Sequence, residues 1–446
     1  MEDLSPQEQA DVLLPPEQTN VLLPPEQAIE LLLREIDEKR RTETLPLNRA
    51  SGRILAETVY AGIDVPSFDR SAVDGYALRA SDTASASDGS PVSLEIVGEI
   101  MAGTAWGAAL ADRQALRIMT GAPVPDAADC VIRQEDTSGD GVKLLVSMQL
   151  IPGQNIGVRG EDIRYGACIA EAGAKLTYAH IGLLAAIGMT HVQVFAQVYA
   201  GILSTGDELI QPGEPLGNAK IYNSNLYTLS ERVKELGIGV RFMTQANDDV
   251  GEICEIIDSE IDGVDLLLST GGVSVGQRDC MHEVLRRLGA RRLFWRLAIR
   301  PGTPVLAAVY RGKLLLCLSG SHFAAATNLE LLGRPVLAKL SGDDSIMYTR
   351  REAVMGEALH KAGPMRRFVR AICSDGIVRL HHDGDGTGGV ERLSGESGSL
   401  LSAGNRTPGS RTPGALLSMI DCNALIDIPA GAGPLAPGDP VRVIML

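Results

Sequence analysis

The sequence predicts a multidomain α/β plus β protein, in which a doubly wound α/β domain is accompanied by β domains. Three observations carry this expectation. The chain has 446 residues, more than one compact core accommodates. From about Val192 to about Gly342, short apolar strands alternate with helical patterns, the rhythm of a mostly parallel sheet. On either side of that stretch, short apolar runs are broken by Gly, Pro and Asp turns, the rhythm of β domains. Apolar residues make up 45% and charged residues 22%, which excludes a disordered chain. With 6 Phe, 9 Tyr and 2 Trp against 49 Gly and 23 Pro, the cores are aliphatic and the connections tight.

Residues 12–18 read VLLPPEQ and residues 21–27 repeat them, but only the second copy leads into a helix. There Pro24 and Pro25 sit where a missing N–H does no harm, and Ala28, Ile29, Leu32, Leu33 and Ile36 share one face. Residues 1–22 read as a loose tail. Leu94–Ile100, Leu116–Met119, Cys130–Ile132 and Val142–Leu150 are short strands of a small β domain. Leu176–Ile187 reads as a helix with Thr177 at its N-cap. The α/β alternation then runs Val198–Leu203, Ser224–Leu236, Val240–Thr244, Val250–Ile261, Val264–Leu268, Met281–Leu288, Leu293–Ile299, Thr303–Leu318 and Ala324–Leu340. Strands and turns return after Ser341, with a second short repeat, RTPGS then RTPG, marking an inserted loop at 402–414.

Net charge is −15, from 41 Lys and Arg against 56 Asp and Glu. That argues against nucleic acid or an anionic membrane as partner, since both select a basic face. The seven cysteines form no C-x-x-C pair and suggest neither a zinc knuckle nor a disulfide framework. No basic n-region or membrane-length apolar run is visible, so a cytoplasmic protein is expected.

Chemistry concentrates in the α/β region. The apolar strand Val264–Leu268 runs into Ser269-Thr270-Gly271-Gly272-Val273-Ser274-Val275-Gly276, where glycines allow backbone N–H groups to approach an anion. A tight turn without ligand is the plainer alternative. Strand Ala200–Leu203 ends in Ser204-Thr205-Gly206-Asp207-Glu208, and Asp207, Glu208, Asp248, Asp249 and Asp279 all fall just past strands or at helix starts. Carboxylates beside a phosphate cradle suit magnesium-assisted phosphoryl chemistry, because hard oxygens hold magnesium. For Asp248 and Asp249, helix capping is the competing role. Arg296 and Arg300, an even number of residues apart on an expected strand, should face one side and offer forks to an oxyanion. His381-His382-Asp383 has metal-ligand residue types, but its glycine-rich flanks read as a solvated hairpin tip.

Taken in order, the segments S-A-V-D-G-Y-A at 71–77, M-T-G-A-P-V-P at 119–125, R-G-E-D-I at 159–163, S-T-G-D-E-L at 204–209, Asn223-Ser224-Asn225, T-G-G-V-S-V-G at 270–276 and A-I-R-P-G-T-P at 298–304 resemble the molybdopterin molybdenumtransferase family. These are the MoeA-type proteins and the gephyrin E domain. The resemblance implies a tail at 1–23, a helical linker domain at 24–60 and 157–195, and an inserted β domain at 61–156. It also implies a molybdopterin-binding α/β domain at 196–342 and a C-terminal β domain at 343–446.

It implies insertion of molybdenum into adenylylated molybdopterin with magnesium-dependent release of AMP, molybdate and the adenylylated pterin being substrates. Asp74, Thr120, Asp162, Glu208, Asp248 and Asp279 would be catalytic. Gly271, Gly272, Ser274, Gly276, Arg296, Arg300, Ser319 and Ser321 would bind the pterin ligand, and Asp207, Glu208 and Asp279 would hold Mg2+. A homodimer is implied, with Asp74, Thr120 and Asp162 reaching the partner's cleft. Molybdopterin adenylyltransferase and apo-molybdoenzymes or their chaperones are the implied partners. One segment departs from the family: Ser319-Gly320-Ser321-His322 stands where a Pro-Gly-Asn-Pro turn is usual, and the loss of both prolines predicts a looser loop. A diverged, non-catalytic paralogue acting as a pterin-binding or scaffold module is therefore the second reading.

Overall fold

A computed structural model describes residues 22–37, 39–273, 280–360, 363–380 and 419–446. The 402–414 insertion and His381-His382-Asp383 lie outside them. The chain forms two compact units: Thr42–Val194 is one, and the residues up to Arg41 together with Phe195–Leu446 are the other.

The second unit contains the α/β domain. Its elements are α1 (Pro25–Arg34), β1 (Tyr199–Thr205), α2 (Ser224–Glu235), β2 (Gly239–Ala246), α3 (Val250–Glu260), β3 (Leu266–Thr270), α4 (Met281–Leu288), β4 (Arg291–Trp295), β5 (Leu306–Tyr310), β6 (Lys313–Leu318), α5 (His322–Asn328) and α6 (Arg334–Ser341). The sheet order is β2-β1-β3-β6-β5-β4. Strands β2, β1, β3 and β6 are parallel neighbours, and β5 is antiparallel to both β6 and β4. Successive strand residues point to opposite faces. Thus Ile202, Leu268 and Leu316 join α1 and α2 in one core, while Leu203, Leu267 and Leu315 join α3 and α4 in another. Two covered faces make the sheet doubly wound.

Three local differences from the sequence reading have physical causes. Thr303–Leu318 reads as one element but folds as the β5–β6 hairpin, because Arg311 and Gly312 both adopt positive φ, 48° and 73°, as a tight two-residue turn requires. Leu293–Ile299 reads as one strand, yet β4 ends at Trp295 and Arg296 turns left-handed with φ 76°. Ile299–Arg300 then pairs with Arg366–Ser374 in the C-terminal sheet. The turn is held from outside: Leu23 donates its N–H to Arg296 O and accepts from Ala298 N. Leu23, the last residue of the tail that the resemblance implies, is therefore paired backbone. Helix α1, which the resemblance groups with 157–195, buries Ala28 and Leu32 in the α/β core. Its Pro25 occupies the first turn, as anticipated.

The C-terminal residues build five strands of a six-stranded sheet, with Ile299–Arg300 as the sixth, over a separate aliphatic core. In the other unit, Gly75–Leu78, Val92–Ile100, Gln114–Ile118, Cys130–Arg133, Thr137–Gly139 and Lys143–Val146 form a six-stranded sheet. It is inserted between two-stranded ribbons and the helix Tyr178–Ala186, whose Thr177 and His180 form a capping box. Among the described residues, no helix is long and apolar enough to cross a membrane.

Candidate active site

From β1 the chain moves through α2 to β2 on one side, then crosses through α3 to β3 on the other. The strand order therefore reverses between β1 and β3, and ligands of open α/β sheets sit outside the carboxyl ends at such a point. A cavity of about 260 Å³ opens there. Its floor is Ser204, Thr205, Thr270, Gly271 and Gly272; Glu208 and Asp248 supply acids; Asn223, Ser224 and Asn225 form one wall; and Ser319, Gly320 and His322 form the other.

The glycine turn is required by packing as well as conformation. Gly271 has φ +99°, and a Cβ there would lie 2.2 Å from Thr205 O. Gly272 has φ +63°, and its Cβ would lie 2.9 Å from Cys280 Sγ. The Gly271 N–H donates to Leu318 O at 3.2 Å, so this amide is spent within the fold rather than offered to an anion. Ser274, Gly276 and Asp279 lie outside the described residues.

The acids divide by role. Asp249 caps α3, its carboxylate accepting from Glu252 N at 2.8 Å, so capping is its role. Asp248 lines the cavity instead, and its N–H donates to Asp207 Oδ1 at 3.1 Å. Burial, then repulsion from Asp207 and Glu208, pushes the Asp248 carboxyl above the usual carboxylate range.

The Asn223-Ser224-Asn225 segment does more than its sequence announces. Asn223 Oδ1 accepts from Leu226 N and from Ser204 Oγ, capping α2 and tying it to β1. Asn225 Nδ2 donates to Thr270 Oγ1 at 3.0 Å and to Gly320 O at 2.8 Å, bridging β3 to the serine-rich turn. Ser224 Oγ hydrogen-bonds His322 Nε2. Ser319 Oγ accepts from Ser321 N at 3.3 Å. The expected looseness of this turn is thus opposed by three side-chain ties where the family has prolines. Ser321 stands at the α5 N-cap and is not part of the cavity lining.

The arginines do not form the expected pair. Arg296, beyond the end of β4, stacks on Trp295 at 5.5 Å and lines a second, mainly apolar cavity with Val273, Thr303 and Met365. Arg300 belongs to the C-terminal sheet opposite Arg367, whose guanidinium is made less basic by burial and by the Arg300 charge. They share no strand, so parity of spacing does not place them on one face. In the other unit, Asp74 Oδ1 accepts from both Thr120 N and Thr120 Oγ1 at 2.7 Å. Those bonds hold the Asp74 carboxyl below its ordinary range. Asp162 lies 3.3 Å from Arg70, which also pairs with Glu161.

Fold and site together define a multidomain α/β protein with an acid-lined ligand cleft at the topological switch point of a mainly parallel sheet. The family model described as MoeA N-terminal region (domain I and II) matches residues 23–188, and that described as probable molybdopterin binding domain matches residues 201–339. A protein named molybdopterin molybdenumtransferase from Bacillus subtilis is 33% identical over 91% of this chain and 90% of its own. One of the same name from Haemophilus influenzae is 35% identical over 70% and 76%. The crystal structure of a molybdopterin biosynthesis MoeA protein from Pyrococcus horikosii superposes with TM-score 0.79 at 30% identity, covering 95% of this chain and 99% of that one. The chain belongs to the MoeA-type molybdopterin molybdenumtransferase family.

Proposed function

We propose that this protein inserts molybdenum from molybdate into adenylylated molybdopterin and releases AMP in molybdenum cofactor biosynthesis. The observation that carries the reading is the cavity at the β1–β3 switch point, with Glu208 and Asp248 beside the glycine turn, inside the span matched by the molybdopterin-binding model. Hydrolysis of the adenylate forms one P–O bond from water and breaks the bridging P–O bond, while a proton leaves the water. Asp248, whose weakened acidity makes its carboxylate the better base, is placed to accept that proton. Glu208 lies on the same rim, among the carboxylates that would hold magnesium.

Magnesium fits the donor type. Asp207, Glu208 and Asp248 crowd like charges together, and no Lys or Arg lines the cavity among the described residues. Among the described residues no three His, Cys, Asp or Glu group as a metal site, so magnesium held here would draw on ligand phosphates as well as on protein carboxylates. Asp207 and Glu208, with Asp279, would hold it, and it would neutralise phosphate charge. The protein acts as a cytoplasmic homodimer, Asp74, Thr120 and Asp162 completing the partner's cleft. It takes its substrate from molybdopterin adenylyltransferase and passes product to apo-molybdoenzymes or their chaperones. The non-catalytic reading is favoured by the Ser319–His322 departure alone, and the ties on that turn weaken it. Incubation with adenylylated molybdopterin should release AMP only when magnesium and molybdate are both present; ligand retention without AMP release would support the scaffold reading.

A further inference from the structure

The cavity poses an electrostatic difficulty. A phosphate-bearing ligand must enter a site whose described lining holds two carboxylates and no Lys or Arg. His322 is the one nitrogen base in that lining. It faces Asn223, Ser224 and Asn225 across the opening, and its Nε2 is fixed by Ser224 Oγ. A second tie, Asn225 Nδ2 to Gly320 O, holds the backbone just before it.

We propose that His322 is the anion contact of this cavity and takes up a proton as a phosphate group of the ligand binds. The inference deepens the proposed function, resting on its reading of the ligand as a phosphate ester. Burial pushes the His322 imidazole down, so the ring is neutral in the free protein near pH 7. Other charged and titratable groups lie in the cavity or on the neighbouring elements. Glu208, Asp248 and Tyr222 share the cavity; Tyr227, Glu231, Arg232, Lys234 and Glu235 lie on α2. Lys313 and Cys317 lie on β6, Glu330 follows α5, and Arg370 stacks over the adjacent Phe323 at 4.1 Å. Burial is the one cause of its weakened basicity. An arriving phosphate supplies a negative charge beside the ring and favours the imidazolium. Once protonated, the ring offers charge-assisted hydrogen bonds to phosphate oxygens. Among the described lining residues the histidine thus serves as the cation, and it does so only when the ligand is present.

The test is calorimetry of AMP binding to the full chain in magnesium-free solution between pH 7 and 8.5, in two buffers of different ionisation enthalpy. Wild type should take up more of a proton than His322→Gln. Its Kd should weaken more steeply with pH than that variant's, by up to about tenfold per pH unit, the limit that one linked proton sets. Ser224→Ala, which keeps an ionisable ring but removes its tether, should retain the extra proton, and this guards against a folding defect in the glutamine variant. Equal proton uptake in wild type and His322→Gln, or no AMP binding by either, overturns the inference. AMP release from the adenylylated pterin, measured separately, tells whether the proposed function falls with it.

Discussion

Gly271 carries two constraints that no other residue type meets together. Its φ of +99° is unfavourable for an L side chain, and a Cβ would press on Thr205 O at 2.2 Å. Gly271→Ala should destabilise the protein by about 2 kcal/mol or more, read as a lower denaturation midpoint with an unchanged slope. Asp248 shows the opposite balance, function held against stability. Its carboxyl is raised by burial and by Asp207 and Glu208, so the folded state binds a proton more tightly than the unfolded chain. Stability is therefore lost as pH rises through the window between the unfolded and folded values, and the deficit persists at neutral pH. Asp248→Asn should be more stable than wild type at pH 7, with the advantage vanishing as pH falls below that window, while AMP release drops. Both residues were legible in sequence, one as a glycine after an apolar strand and one as an acid after another. What the sequence could not show is the bond between His322 and Ser224, because the two lie 98 residues apart and spacing cannot reveal that contact.

At the scale of elements, alternating hydrophobic runs predicted the α/β order well, since each strand must present apolar residues to both helical layers. The pattern failed where backbone conformation, not hydrophobicity, ends a strand. Arg311-Gly312 and Arg296 are left-handed residues inside apolar surroundings, and neither interrupts the run. The arginine pairing failed for the same reason, because parity of spacing assumes one continuous strand. The serine-rich turn is an element held by its neighbours. Asn225→Ala would leave the Thr270 hydroxyl and Gly320 carbonyl without their donor, at a cost of about 1–3 kcal/mol. We expect a raised KM for the adenylylated pterin with a smaller change in kcat, since the loop is then competent only part of the time. An unchanged KM would show that the ties are structural alone.

For the whole molecule, the proposed dimer makes a prediction that neither unit makes alone. The acids of Thr42–Val194 and the cavity of the α/β domain belong to different compact units, and the proposal joins them across two chains. Inactive Asp74→Asn mixed with inactive Glu208→Gln should regain part of the activity, because some heterodimers carry one intact site. No recovery after subunit exchange, or sedimentation as a monomer at micromolar concentration, contradicts the shared site. The sequence motifs indicated this arrangement only through family resemblance, since spacing carries no information about a second chain.

The central claim is that chemistry occurs at the acid-lined switch point. Its most direct test is AMP release from adenylylated molybdopterin by wild type and Glu208→Gln, with magnesium and molybdate titrated separately. The account predicts AMP release by wild type that needs both additions, and loss of at least about a hundredfold in the variant with AMP still bound. Equal rates in the two proteins, or AMP release independent of magnesium, would contradict it.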